Sequence, residues 1–110
     1  MTPGPAWLAG AILFEVSATI ALKASDGLTR LTPALAVVAG YAVSFYCLSQ
    51  ALRTIPMGVA YAIWSGVGIV AISIAGWRLY GQVLDAAALA GIALILAGVL
   101  VIQLLSRSAA

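Results

Sequence analysis

A single carboxylate lies inside an otherwise apolar stretch of this sequence. Glu15 follows Pro5 by ten residues, and no other acidic residue falls within an apolar run. In an α-helix that separation corresponds to about 15 Å, which is near the middle of a bilayer core about 30 Å thick. Ionisable groups at that depth are costly and usually mark an ion or substrate pathway. No basic residue lies at matching depth in another run, so we expect a mobile counter-charge, either a proton or a cationic substrate.

The helical neighbours of Glu15 are small, apolar or hydroxyl-bearing. At spacings of three, four and seven residues they include Leu8, Ala11, Ile12, Ala18 and Thr19. The alanines leave space beside the carboxyl group, and the threonine offers a hydroxyl. Both a lined cavity and close helix packing fit these side chains. A carboxyl group that stays protonated and only joins helices is the structural alternative for Glu15 itself.

Aromatic residues supply a second set of candidates. Tyr61 and Trp64 lie three residues apart in one apolar run, and Tyr41, Ser44 and Phe45 share a helical face in another. Ring faces attract cations, most strongly when the cation is desolvated. Tyrosine and tryptophan also form belts at membrane interfaces. Tyr41 and Trp64 lie deeper in their runs, which favours a cation pathway over a belt.

Glycine marks two further segments. Gly66, Val67 and Gly68 fall in the middle of the third apolar run, where glycine destabilises a helix by about 1 kcal/mol relative to alanine. This pattern favours a hinge, and close packing of a neighbouring helix is the alternative. In the fourth run, Gly91 and Gly98 form a small-residue stripe with Leu94 and Ile95 between them. Such stripes let helices approach closely in lipid and predict an interface with a second copy.

Four apolar runs must position these residues. They cover about residues 5–22, 33–52, 58–77 and 86–105, and each approaches the roughly 20 residues with which a helix crosses a bilayer. Barrel strands would be shorter and would alternate in polarity. The prediction is an all-α integral membrane protein, a bundle of four transmembrane helices in one membrane domain over residues 1–110.

Composition excludes most other classes. The 110 residues are 65% hydrophobic and 7% charged, against about 25% charged in ordinary soluble domains. The net charge of +2 comes without a basic patch, which argues against nucleic acid. There is no histidine and a single cysteine, and no phosphate-binding glycine loop is present. We expect no metal, no cofactor and no enzymatic activity. Because the sequence has no phosphate-binding loop that would bind ATP, an ion gradient must drive any transport.

The basic residues give almost no orientation signal. Four spans place Arg53 and Arg107 on one side of the membrane and Lys23, Arg30 and Arg78 on the other. Topology follows a clear excess of basic residues on the cytoplasmic side. Insertion in both orientations and one orientation set by other factors both fit this balance.

Several segments, in order along the chain, resemble the small multidrug resistance family. They are Ala11–Val16, Leu22–Leu31, Pro56–Gly68, Leu96–Leu100 and Leu104–Ser108. The resemblance implies a proton-coupled antiporter of the bacterial inner membrane that exports lipophilic and quaternary ammonium cations as an antiparallel, dual-topology homodimer. It also implies that Glu15 of both copies binds protons and drug competitively. Tyr61 and Trp64 match substrate positions, and Tyr41, Ser44 and Phe45 match positions that line the pathway. Gly66, Val67 and Gly68 match a kink, and Gly91 and Gly98 match a dimer contact.

Three alternatives stay open at this stage. Guanidinium exporters of the same family carry a tryptophan three residues after the glutamate, where this chain has Ala18. A rotor-like structural subunit also carries one membrane carboxylate, but usually on a two-helix hairpin. One half of a heterodimer is expected to show a strong charge bias, which this chain lacks.

Overall fold

A computed structural model describes residues 3–110 and shows helices joined by short turns. The described part forms four helices, which are α1 (Gly4–Ala24), α2 (Leu31–Ala51), α3 (Met57–Tyr80) and α4 (Ala86–Leu105). All four are long and apolar enough to cross a membrane. This confirms the all-α prediction and the number of membrane-spanning helices in that part of the chain. Two compact units are present, and the first ends at Thr54 while the second begins at Ile55.

The first unit pairs α1 with α2 around a turn built on Ser25. Pro5 lies in the first turn of α1, where the missing N–H costs nothing. At the other end the buried Ser25 hydroxyl donates to the carbonyl of Leu22 at 2.7 Å and accepts from the N–H of Leu28 at 2.9 Å. The Ser25 carbonyl accepts from the N–H of Arg30 at 3.0 Å. These bonds fix the short connection that brings α2 back along α1.

Close approach between α1 and α2 depends on a glycine. A Cβ atom built on Gly40 would lie 2.8 Å from the Cβ of Ala18 and 3.4 Å from the carbonyl oxygen of Phe14. Small residues permit this spacing because lipid gives helices no hydrophobic force to associate, so tight packing must hold them together. The turn of α1 that carries Glu15 is therefore in direct contact with α2.

The second unit pairs α3 with α4. α3 ends at Tyr80 and is capped by Gly81, whose φ of 64° is left-handed. The N–H of Gln82 donates to the carbonyl of Gly76 at 3.1 Å, as is common where a glycine terminates a helix. α4 begins at Ala86 and is capped by Asp85, whose carboxylate accepts from the N–H of Ala88 at 2.9 Å, the usual role of aspartate at an N-cap. No residue of α4 is buried, so most of this helix is available for contacts outside its own unit.

Candidate functional site

Glu15 is the end of a hydrogen-bonded chain that crosses from α1 to α2. The Thr19 hydroxyl donates to Oε1 of Glu15 at 3.0 Å, one helical turn away. The same hydroxyl oxygen lies 2.6 Å from the hydroxyl oxygen of Tyr41 on α2. All three side chains are partly buried. The structure thus brings together three of the residues that the sequence singled out.

The direction of this chain follows from the number of hydrogens. A hydroxyl group has one hydrogen to donate and two lone pairs that accept. When Thr19 donates to Glu15, the short contact with Tyr41 must use the tyrosine hydrogen, so Tyr41 donates to Thr19. Both hydroxyl hydrogens then point along the chain towards the carboxylate.

Ser44 is the second polar link between α1 and α2. Its hydroxyl is fully buried and donates to the backbone carbonyl of Ala11 at 2.7 Å. Ser44 therefore lies one turn of α1 before Glu15, on the same side as the Tyr41 contact. Here its hydroxyl joins the helices and does not reach the carboxylate.

The apolar neighbours of Glu15 are packed. Leu8, Ala11, Ile12 and Ala18 are all buried, and Ala18 lies against Gly40. These contacts favour the helix-packing interpretation for Ala18. Their part in a substrate pathway stays a prediction.

Aromatic rings on α2 form two contacts. Tyr41 and Phe45 are stacked, with ring centroids 6.3 Å apart and an interplanar angle of 26°. Phe45 is 59% exposed on this chain. Tyr46 meets Trp7 edge to face at 5.9 Å. The Tyr41–Phe45 pair therefore places an aromatic surface next to the contact between Thr19 and Tyr41.

The remaining aromatic candidates belong to the second unit. Tyr61 and Trp64 lie in the first half of α3, and Tyr61 is 69% exposed whereas Trp64 is partly buried. α3 continues as a helix through Gly66, Val67 and Gly68. A Cβ atom at Gly66 would lie 2.8 Å from Cγ2 of Val99 on α4. Gly66 thus has a packing role, and the hinge stays a prediction about movement.

The predicted interface stripe of α4 is open. Leu94 is 74% exposed and Ile95 is 43% exposed, and nothing lies within 4 Å of a Cβ built on Gly91 or Gly98. The contacts of α4 with Gly66 of α3 are made by Leu96 and Val99, which are not part of the stripe. The helix therefore uses one face within its unit and leaves the stripe unoccupied.

Sequence reasoning missed Gly40 and the link from Tyr41 to Thr19. Gly40 is one glycine among eleven in the chain, and only its position opposite Ala18 distinguishes it. The hydroxyl link depends on the register between α1 and α2, which the turn at Ser25 sets. No group of three or more histidine, cysteine, aspartate or glutamate side chains lies together within residues 3–110.

Comparison with known proteins places the chain in a wider group. A family profile described as "Small Multidrug Resistance protein" matches residues 5–95. The chain is 55% identical over 102 residues to the multidrug transporter EmrE of Escherichia coli (strain K12), which covers 93% of each chain. It is 52% identical over 100 residues to the quaternary ammonium compound-resistance protein QacE of Escherichia coli, covering 91% of each. A spermidine export protein, MdtI of Salmonella arizonae, is 43% identical over 99 residues, 90% of this chain and 91% of the relative.

Proposed function

The chain belongs to the small multidrug resistance family, and we propose that it is a proton-coupled antiporter that exports lipophilic and quaternary ammonium cations. Family membership confirms the resemblance drawn from the sequence motifs, and the relatives are named as transporters and resistance proteins rather than as enzymes. The observation that carries the proposal is Glu15, a carboxylate near the middle of an apolar helix, hydrogen-bonded to Thr19. Bacterial relatives and four spans support a multi-pass protein of the bacterial inner membrane.

Protons and cations compete for Glu15 in this mechanism. A carboxylate in a medium of low dielectric needs a partner, because an uncompensated charge there is strongly unfavourable. A proton neutralises it on one side of the membrane, and an organic cation replaces the proton on the other. Because one group holds either partner but not both, outward movement of the cation is coupled to inward movement of protons.

The proposed functional unit is an antiparallel homodimer with two copies of Glu15. The nearly even division of basic residues across the predicted membrane sides supports insertion in both orientations. The open stripe formed by Gly91, Leu94, Ile95 and Gly98 supports contact with a second copy. Two inverted copies around a midplane site would alternate access by rocking, as inverted repeats do in other transporters, with Gly66, Val67 and Gly68 as the hinge. In this arrangement residues 1–110 act as one membrane domain.

Aromatic side chains form the proposed cation pathway. Tyr61 and Trp64 on α3 and the Tyr41–Phe45 stack on α2 offer ring faces to a desolvated cation. Ser44 lies beside the pathway and joins α2 to α1. Leu8, Ala11, Ile12, Ala18 and Thr19 line the wall of α1 around Glu15.

Guanidinium and polyamines are the alternative substrates. The tryptophan of guanidinium exporters is replaced here by Ala18, which packs so closely on Gly40 that a larger side chain has no room in this arrangement. One relative is named a spermidine export protein. A dimer with one membrane carboxylate per copy matches a hydrophobic cation better than a hydrophilic polycation, because each additional unpaired charge would be desolvated at high cost.

Binding across pH tests the proposal. Purified protein is titrated with tetraphenylphosphonium at several pH values, and Glu15→Gln is compared with the wild type. We expect the affinity of the wild type to rise with pH, as protons leave Glu15, and binding to be lost in Glu15→Gln. Glu15→Asp, which keeps the carboxylate, should retain binding with a changed pH dependence. Binding that does not depend on pH in the wild type would contradict the shared site.

Competition and mass separate the alternatives. Guanidinium or spermidine that displaces tetraphenylphosphonium at a far lower concentration than quaternary ammonium compounds would replace the proposed substrate class. The mass of the protein in detergent should correspond to a dimer, whereas a rotor-like subunit would give a large ring.

A further inference from the structure

We propose that Tyr41 and Thr19 act in series as positioning residues that hold Glu15 in its deprotonated, cation-accepting form, and so set the pH range over which the transporter takes up its substrate. This inference rests on the proposed exchange of protons and cations at Glu15. It adds a role for two hydroxyl groups that the exchange itself does not require.

While Glu15 is charged, the geometry allows only one direction of hydrogen bonding along the hydroxyl chain. Thr19 donates to Oε1 of Glu15 at 3.0 Å, and its oxygen lies 2.6 Å from that of Tyr41. Only one hydrogen arrangement satisfies both contacts when the carboxylate is ionised, with Tyr41 donating to Thr19 and Thr19 donating to Glu15. An ionised acceptor strengthens a hydrogen bond, and successive bonds in a chain polarise one another.

Among the described residues of α1 and α2, no fully charged side chain near Glu15 takes the place of the two hydroxyl groups. α2 contains no aspartate, glutamate, lysine or arginine, and its titratable side chains are Tyr41, Tyr46 and Cys47. Tyr46 packs on Trp7, and Cys47 is buried opposite Gly10. The one basic residue of α1 is Lys23, eight residues beyond Glu15 and at the helix end. Within this unit the carboxylate therefore depends on neutral hydroxyl donors.

Protonation of Glu15 lets the hydrogen bonds among Glu15, Thr19 and Tyr41 reverse their direction. A protonated carboxyl group has one hydrogen to donate and keeps acceptor capacity, so it also permits the reverse direction. Thr19 can then accept from Glu15 and donate to Tyr41, which turns the tyrosine hydrogen away from Thr19. The presence of a proton on α1 is thereby transmitted to Tyr41 on α2, at the edge of the proposed cation pathway.

The test measures the pH midpoint of cation binding in variants that lose one hydroxyl. Thr19→Val removes the Thr19 hydroxyl at nearly constant shape, and Tyr41→Phe removes the tyrosine hydroxyl but keeps the stacked ring. Both changes remove stabilisation of the charged carboxylate, so protons compete up to a higher pH. We expect the midpoint of tetraphenylphosphonium binding to rise by about one pH unit in Thr19→Val, the size of one hydrogen bond to a charged group, and by less in Tyr41→Phe.

Three further variants make the test specific. Ser17→Ala is the matched control, because the Ser17 hydroxyl lies on the same helix but donates only to the carbonyl of Leu13, and its midpoint should equal that of the wild type. Thr19→Ser keeps the hydroxyl, so its pH midpoint should lie close to that of the wild type. In the Thr19→Val background, Tyr41→Phe should add little, since Tyr41 acts on Glu15 through Thr19.

The outcomes distinguish this inference from the proposed function. Loss of affinity at every pH with an unmoved midpoint in Thr19→Val would overturn the inference and leave the exchange at Glu15 intact. An additive effect of Tyr41→Phe in the Thr19→Val background would also overturn the series arrangement. By contrast, binding by Glu15→Gln with an unchanged pH dependence would remove the proposed function and this inference together.

Discussion

Gly40 and Ala18 face each other so closely that a Cβ atom on Gly40 would lie 2.8 Å from the Cβ of Ala18. The same atom would be 3.4 Å from the carbonyl oxygen of Phe14, the residue that precedes Glu15. Gly40 therefore sets the distance between α2 and the turn that carries the carboxylate. Tyr41, the next residue along α2, reaches Thr19 across that distance at 2.6 Å.

Enlarging Gly40 should separate the helices of the first unit. Gly40→Ala forces α1 and α2 apart or strains the backbone, and overpacking of this kind costs about 1–3 kcal/mol. We expect a lower unfolding temperature in detergent and weaker binding of tetraphenylphosphonium, because the link from Tyr41 to Thr19 is stretched.

Gly10→Ala is the control for this change. Gly10 lies on α1 in the same helix pair, but a Cβ atom there would meet Sγ of Cys47 at 3.6 Å, an ordinary contact distance. This variant should unfold at a temperature close to that of the wild type. Equal stability of Gly40→Ala and Gly10→Ala would show that the close approach at Gly40 is not needed.

Gly66 allows the hinge and packing interpretations to be separated. Gly66→Ala adds a Cβ atom 2.8 Å from Cγ2 of Val99 and also stiffens α3, since alanine favours the helix by about 1 kcal/mol. We expect Gly66→Ala to lower the rate of cation export in proteoliposomes. Val99→Ala removes the clashing methyl group. The double variant therefore measures the export rate when the packing conflict between α3 and α4 is relieved.

The double variant decides between the two roles. If Gly66 serves only close packing of α3 on α4, Val99→Ala restores the export rate. If Gly66 is a hinge, the stiffened helix keeps the export rate low even though the packing conflict is relieved. Val99→Ala alone serves as the control, and a lower rate in that variant than in Gly66→Ala would invalidate the comparison.

The sequence was sufficient to predict the helices and to single out Glu15 as a candidate, but not to predict the contacts between helices. Four apolar runs and the depth of one carboxylate are properties of each segment taken alone, so composition and length predict them. The Thr19–Tyr41 contact and the approach of Gly40 to Ala18 depend on the register between α1 and α2. That register follows from the bonds at Ser25 and from the positive φ angles of Asp26, Gly27 and Leu28, which the apolar pattern does not predict.

The ends of the helices likewise differ from the ends of the apolar runs that the sequence shows. The sequence predicted a second span from about residue 33, whereas α2 begins at Leu31, so Pro33 lies within the first turn, where its missing N–H breaks no bond. Likewise α3 continues to Tyr80, beyond the apolar run, because Gly81 provides the left-handed termination. Hydropathy marks where apolar residues stop, and capping geometry decides where a helix stops.

The open stripe of α4 predicts a change in assembly without a change in the fold of the chain. Gly98→Leu adds a bulky side chain at an exposed position where nothing lies within 4 Å of a Cβ atom in the single chain, so the helix pair should be retained. Between two copies the same side chain prevents close approach of the helices. We expect the mass in detergent to fall from that of the proposed dimer to that of a monomer, and cation binding to be lost.

Ala93→Leu is the matched control on α4. Ala93 is exposed but lies outside the stripe, so a leucine there should leave the dimer mass unchanged. Dimers of Gly98→Leu as stable as those of Ala93→Leu would place the contact between copies elsewhere.

Charge changes should reveal whether both orientations are required. Basic residues fall as Arg53 and Arg107 on one predicted side and Lys23, Arg30 and Arg78 on the other. Changing both residues of the first group to glutamine leaves all basic residues on the opposite side, and changing the second group does the reverse. Since the excess of basic residues sets insertion, each variant should insert mainly one way. Each alone should then lose resistance to quaternary ammonium compounds in cells.

Co-expression is the decisive comparison, because an antiparallel dimer needs one copy in each orientation. The two oppositely biased variants produced together should restore resistance, whereas either one produced at the same total level should not. A variant with Arg53→Lys and Arg107→Lys keeps the charge on both sides and should behave as the wild type, which separates orientation from any role of the guanidinium groups. Full resistance from each biased variant alone would mean that a parallel arrangement is functional. The near balance of basic residues would then carry no consequence for assembly.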